Sequence, residues 1–332
     1  MRPLLPALLL VSAATQPVSA QPVAAQAVAA QPVAAQVAAP GLPVLTLSAP
    51  VGASVELRTS TSSRLRLGEV KVSALPGKAV PPAELNRLRS SFNEGPAAQT
   101  TTVTGKAFYR VAARGEGGTV LVGSVVQNVA GQPPLTMRIS QTVAPGGEVS
   151  GLKVESDDPR LRAVLAQLTP EGIEHMLSQN GSSLKGVYAQ ALVPGTFTEQ
   201  TVTLDMQEMT TALFSSLAGA DGAALPQVQV TPLSMLTRTT YQGLSAQGLH
   251  TFTTRSSAQD WQVALKGEGD MPGMTMRLGA LDSSGTQTFR RDGLPGPSQQ
   301  SMTMSMQLDM TIGGAQVSLT MTLEQRTAIT LP

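Results

Sequence analysis

Apolar residues occupy every second position from Met302 to Ile312 (Met302, Met304, Met306, Leu308, Met310, Ile312), with Thr303, Ser305, Gln307, Asp309 and Thr311 between them. Side chains alternate faces along a strand, so this period predicts one β-strand with a dry, sulfur-rich face and a wet face. After Gly313-Gly314 the alternation resumes at Val317, Leu319, Met321 and Leu323. A two-residue turn pairs 312 with 315, 310 with 317, 308 with 319 and 306 with 321, which puts both apolar sets on one face.

Similar patterning runs through most of the chain. Val55 to Val72 predicts two extended segments split near Gly68. Pro81-Pro82 then precede Leu85, Leu88 and Phe92 at the spacing of a short amphipathic helix. Thr101 to Asn128 reads as a long hairpin around the Gly115 to Gly118 loop. A second hairpin turns at Pro145-Gly146, and pairing 144 with 147 sets Ile139 opposite Leu152 and Met137 opposite Val154. The period then changes. Asp158 suits a helix N-cap, Pro159 the first helical position, and Leu161, Val164, Leu165 and Leu168 form one stripe, continued by Ile173, Met176 and Leu177 up to Asn180-Gly181.

A strand from Thr201 to Met209 and a short helix from Thr210 to Ala218 are expected next. Strands follow over Met235–Tyr241, Leu249–Thr254 and Gln262–Lys266, then a hairpin in which Met274, Met276 and Leu278 return through Gln287, Phe289 and Arg291 around Asp282–Gly285. Strands that alternate this cleanly have one wet face, which argues against a parallel α/β sheet. The expected fold class is α+β, mostly β: a large curved antiparallel sheet of long hairpins packed around one or two central helices.

The N-terminus adds organisation. Arg2, the apolar run Leu4 to Val11 and the small-residue ending Val18-Ser19-Ala20 read as a signal peptide over residues 1–20, which implies export to a bacterial periplasm or beyond. Residues 21–43 repeat Ala, Gln, Pro and Val and read as a low-complexity linker. A single β-rich domain would occupy 44–332, with halves 44–156 and 197–332 joined by a helical segment 157–180. The absence of cysteine excludes disulfides and an acylated lipobox cysteine. Once Arg2 is removed, basic and acidic residues balance, leaving no global charge to attract nucleic acid or an anionic bilayer. No later stretch is long and apolar enough to make an integral membrane protein of the mature chain by helices. The missing aromatic girdles argue against an outer-membrane barrel. With 14 Met against 6 Phe, the core is expected to be aliphatic and adaptable.

Catalytic chemistry has few parts to draw on. Ser182 and Lys185 fit S-x-x-K, but the partner motifs are missing. Glu171 and His175 share a helix face without a third metal ligand. Asp157-Asp158 serve as a helix cap, and Glu268 with Asp270 lie in a Gly-rich loop. His175 and His250 are the only histidines, so the chain reads as non-enzymatic and without a cofactor.

The methionines offer two binding chemistries. As a ligand wall, Met274, Met276, Met302, Met304, Met306, Leu308, Met310 and Met321 would suit an apolar small molecule or lipid, because thioethers adapt to varied shapes. The alternative is Cu(I) at Met302 and Met304 with His250, since thioether is the soft ligand left to a cysteine-free exported protein. These M-x-M pairs resemble those of periplasmic copper-binding proteins, which implies recruitment of His250 and of Trp261. The order of elements, long hairpins around a helical middle, resembles that of periplasmic lipoprotein-localisation carriers and mycobacterial lipid-carrier lipoproteins. That resemblance implies a curved sheet wrapped over helices and a role in binding lipid or another envelope component.

Overall fold

The computed structural model describes residues 42–93, 98–129, 134–146, 149–159, 162, 187–188, 190–204, 207, 210–211, 227–266 and 273–332. Its strands are β1 (Ser54–Ala74), β2 (Ala98–Gly115), β3 (Gly118–Val129), β4 (Leu135–Val143), β5 (Val149–Ser156), β6 (Phe197–Leu204), β7 (Gln227–Val230), β8 (Leu233–Leu244), β9 (His250–Gln259), β10 (Gln262–Lys266), β11 (Met274–Phe289), β12 (Pro295–Ile312) and β13 (Ala315–Thr330). One helix, α1 (Pro82–Asn93), follows β1. All strands join one 13-stranded sheet in the order β5-β4-β3-β2-β1-β13-β12-β11-β9-β8-β6, with β10 and β7 continuing beside β11. Every pairing is antiparallel. The outermost strands, β5 and β6, do not pair with each other, so the sheet is open.

The first and last strands meet at the centre of the sheet, where β1 lies beside β13. The β12–β13 hairpin has the register its alternation predicts: Ile312 opposite Ala315, Met310 opposite Val317, Leu308 opposite Leu319 and Met306 opposite Met321. Gly313 and Gly314 both have positive φ, which a two-residue hairpin turn requires. On β13, Ala315, Val317, Leu319, Met321 and Leu323 are buried, and Gln316, Thr320 and Arg326 are exposed.

Three expectations need correction. The β4–β5 hairpin pairs Ile139 with Val154 and Met137 with Ser156, two residues away from the expected register. Pairing Val143 with Val149 accounts for one residue of shift, and a bulge on β5 at Gly151 (φ 59°) and Leu152, opposite Gln141, adds the second. Because the total shift is even, the apolar face is preserved. The hairpin expected around Asp282–Gly285 is instead the middle of the single strand β11. Gly285 is there for close approach, since a Cβ would lie 2.6 Å from the Gln299 carbonyl oxygen. The true turn is Arg290–Leu294, closed by Arg290 N–H donating to the Leu294 carbonyl. Residues Ser54–Ala74 likewise form one strand, bent by a bulge between Leu67 and Val70.

The described helix is α1, which lies after β1, not in the middle of the chain. Pro82 takes its first position, Glu84 its first turn, and Leu85, Leu88 and Phe92 pack on the dry face. The middle helix begins as expected: Pro159 is helical, and Arg162 N–H donates to the Asp158 carbonyl at 2.9 Å. The rest of 157–180, and most of the helix expected over 210–218, lie outside the described residues. The segment leaving β5 at one edge must reach β6 at the other, and Val187 and Tyr188 enter the core along the way.

The dry face holds two apolar clusters. One gathers all three tyrosines with Phe252, Phe289 and Leu294, and is closed by an N-terminal strap, residues 44–49, that buries Leu45, Leu47 and Ala49. Ser48 and Ala49 N–H both donate to the Asp292 carbonyl at 2.9 Å, and Arg114 donates to the Leu47 and Ala49 carbonyls at 3.2 and 2.7 Å. This cluster draws on β1 to β4, β8, β9, β11 and β13, so the sheet curls around the strap. The second cluster is sulfur-rich and includes Met306, Met310, Met321 and Leu319 beside α1. The aliphatic core expected from composition therefore describes this end only. The scarce aromatic residues are concentrated at the other.

Candidate functional site

Of the expected wall residues, Met306, Met310 and Met321 are buried, while Met274, Met276, Met302, Met304 and Leu308 are half-buried members of the same cluster. The register aligns them in rows: Met274 opposite Met310, Met276 opposite Leu308, and Met306 opposite both Leu278 and Met321. The structure thus brings all eight together in one apolar surface. Trp261 belongs to the same cluster, and its indole Nε1–H is buried with no acceptor among the described residues.

The copper set is not brought together. Met302 pairs with Ser283 on β11, whereas His250 pairs with Phe289, six residues further along that strand, or about 20 Å. His250 belongs to the aromatic end. Burial and the nearby Arg291 lower its pKa, and its Nδ1 shares a hydrogen bond with the Tyr241 hydroxyl at 3.0 Å. Burial correspondingly raises the Tyr241 pKa. Unfolding frees His250 to bind a proton at its ordinary 6.5. Stability should therefore fall as pH drops through 6.5 toward the lowered folded value, and be unaffected by this group above that window. Urea midpoints at pH 8 and pH 5 check this: the drop should be smaller in His250→Gln than in the parent protein.

Between the two apolar clusters runs a polar seam that alternation alone did not foretell. Thr59, Thr61, Ser63, Thr239, Gln325 and Thr327 point to the dry side and are buried. The Thr61 and Thr327 hydroxyls bond at 3.1 Å, Thr237 and Ser256 at 2.9 Å, and Gln300 Nε2 donates to Ser283 Oγ at 2.6 Å. These bonds run from strand to strand, the kind of pairing that burial of polar groups demands.

The wet face carries an open groove of about 1100 Å³ across β8, β9, β11, β12, β13 and β1. Its side chains are hydroxyls and amides, such as Ser62, Thr240, Ser284 and Gln299, together with Arg238, Arg255 and Arg326. A smaller hollow of about 460 Å³ adjoins it and includes Glu199 and Asp282. Sequence reasoning treated this face only as solvated. Each arginine sits alone on its own strand, and only the strand order places them in one line.

Of the other motifs, Asp158 marks the helix start, where its N–H donates to Ser156 Oγ at 3.1 Å. Ser182, Lys185, Glu171, His175, Glu268 and Asp270 lie outside the described residues. Among the described residues no group of three or more His, Asp or Glu side chains is placed to hold a metal ion. No helix among them is long and apolar enough to cross a membrane.

No protein-family model matches this chain, and no curated protein matches it. Solved structures that superpose on it include a mutant of the Rh. blastica porin, 7% identical over 82% of this chain and 100% of that one, with a TM-score of 0.19. A mutant of the TodX monoaromatic hydrocarbon channel is 10% identical over 86% of this chain and 92% of that one, with a TM-score of 0.21. At these scores the likenesses support no conclusion about fold or function.

Proposed function

We propose that the protein is an exported, non-enzymatic envelope protein that binds an apolar ligand, an acyl chain or lipid, on the Met-rich half of its dry face. The observation that supports this reading is the contrast between the two clusters. Around the aromatic cluster, among the described residues, only Ala53, Val55 and Leu192 sit half-buried at the margin. Around the sulfur-rich cluster, Met274, Met276, Met302, Met304, Leu308 and Trp261 all keep part of their surface uncovered. Leaving so much apolar surface half-covered forgoes about 25 cal/mol for each Å². Thioether side chains repack at low cost around chains of varied shape. The buried Trp261 N–H, without an acceptor among the described residues, leaves a donor within that cluster for a ligand oxygen. A carrier or scavenger of acyl chains fits this surface.

Native mass spectrometry of protein purified from its own envelope tests the reading. A retained lipid mass is expected at mild voltage, and it should disappear in the Met302→Glu, Met304→Glu double variant with the circular dichroism spectrum unchanged. A clean apo mass in the parent protein would overturn it.

A further inference from the structure

We propose that the groove on the wet face is a second binding site, for an acidic polysaccharide chain. Its position separates it from the lipid surface, because strand side chains alternate and the groove residues lie on the opposite side of the sheet from the methionines. One row of paired residues crosses its floor, Arg238, Arg255, Ser284, Ser301, Arg326 and Ser62, and Glu199 continues it beyond Arg238 into the adjoining hollow. The neighbouring row, Thr240, Thr253, Thr286, Gln299, Ala328 and Ser60, adds hydroxyls and an amide.

Charge and size select the ligand. Three arginines and no carboxylate line the groove. Arg238 is held by Glu199 at 3.5 Å and lies over the Phe197 ring at 3.7 Å, so it is already engaged. Among the described residues Arg255 and Arg326 form no ion pair, and Asp282 lies in the adjoining hollow. Guanidinium groups present forked donors that match carboxylate oxygens. Three strand spacings, about 14 Å, separate Arg255 from Arg326 along the row. One small anion does not span that distance, whereas consecutive acidic sugars do. The groove of about 1100 Å³ exceeds the ~300–1,000 Å³ of ordinary small-molecule pockets. Between the arginines the Ser284 and Ser301 hydroxyls, 3.2 Å apart, and their neighbours supply the donors and acceptors that sugar hydroxyls need. Nucleic acid is a poorer fit, because no unengaged aromatic ring lines the groove for bases to stack on.

The test is calorimetric titration of the full-length protein with polygalacturonate oligomers at low salt, beside neutral dextran and inorganic phosphate. Binding is expected for the oligomers alone, weakening as salt rises. In Arg255→Gln, Arg326→Gln it should fall at least tenfold. A control that removes the same charge elsewhere, Arg110→Gln with Lys153→Gln, should leave it unchanged. No binding by the parent protein, an equal loss in the control, or phosphate binding as tight as the oligomers would each overturn the proposal. Lipid retention in the arginine variant should stay at the parent level, so failure of this site and failure of the lipid reading are distinguishable.

Discussion

Replacing Phe252 by Ala should lower the free energy of unfolding by about 3–5 kcal/mol, the usual cost of emptying a buried aromatic site. Phe252 has no exposed surface, and its ring centroid lies 5.0 Å from Tyr241 and 5.8 Å from Phe289, edge-on to the latter. Tyr188 meets Phe289 in a second edge contact and donates its hydroxyl to the Gly293 carbonyl at 2.7 Å. The tyrosine is fully buried, and desolvation, followed by Tyr109 and Asp292, raises its pKa well above the ordinary range. Rigid rings in edge contact cannot flow into a vacated volume, so the cavity persists. Met304→Ala offers the comparison. Its site is half-buried among flexible thioethers, and its loss should be clearly smaller. Urea denaturation of both variants measures the difference, and equal losses would show that the two clusters do not differ in packing.

Gly293→Ala should be almost as damaging, through the backbone. Gly293 has φ 84°, where a side chain costs about 1–2 kcal/mol. A Cβ there would also lie 2.3 Å from the Thr46 carbonyl oxygen and 2.8 Å from Leu47 Cα. Neither atom belongs to a side chain that can rotate away, so the strap must shift. The hydrogen bonds from Ser48 and Ala49 to Asp292 are then at risk, each contributing about 0.5–1.5 kcal/mol. Gly52→Ala isolates the conformational part, because Gly52 has φ 90° but nothing within 4 Å of its would-be Cβ. Limited proteolysis should cut residues 42–53 early in Gly293→Ala and not in Gly52→Ala. Protection in both would mean that the strap is held independently of this turn.

The β12–β13 hairpin was legible in detail because its information is local: a strict period of two on both arms and a two-residue turn between them. The β4–β5 hairpin has a similar period, yet its register slipped. A bulge on β5 at Gly151, with one further residue taken up before Val149, shifts the pairing by two and keeps the same faces opposed. Asp282–Gly285 looked like a turn because Asp, Ser and Gly favour turns. Inside β11 Asp282 and Ser284 face water, Ser283 bonds Gln300 in the polar seam, and Gly285 sits where Gln299 approaches too closely for a side chain. The eight wall residues were legible as one surface, since alternation places them on the dry side. His250, expected as a copper ligand with Met302 and Met304, was not separated from them until strand pairing put it opposite Phe289 at the far end of β11.

Alternation by itself determined that this chain folds into antiparallel strands with a dry and a wet face, because side-chain direction along a strand depends only on neighbouring residues. What those faces hold was decided by strand order. Ser62 meets Arg326 only because β1 docks beside β13, and Tyr188 reaches Phe289 only because the sheet curls around the strap. Contacts between residues a hundred or more positions apart arise from closing the whole sheet, and no local period encodes them. The aromatic cluster, the polar seam and the arginine groove therefore belong to the tertiary structure alone.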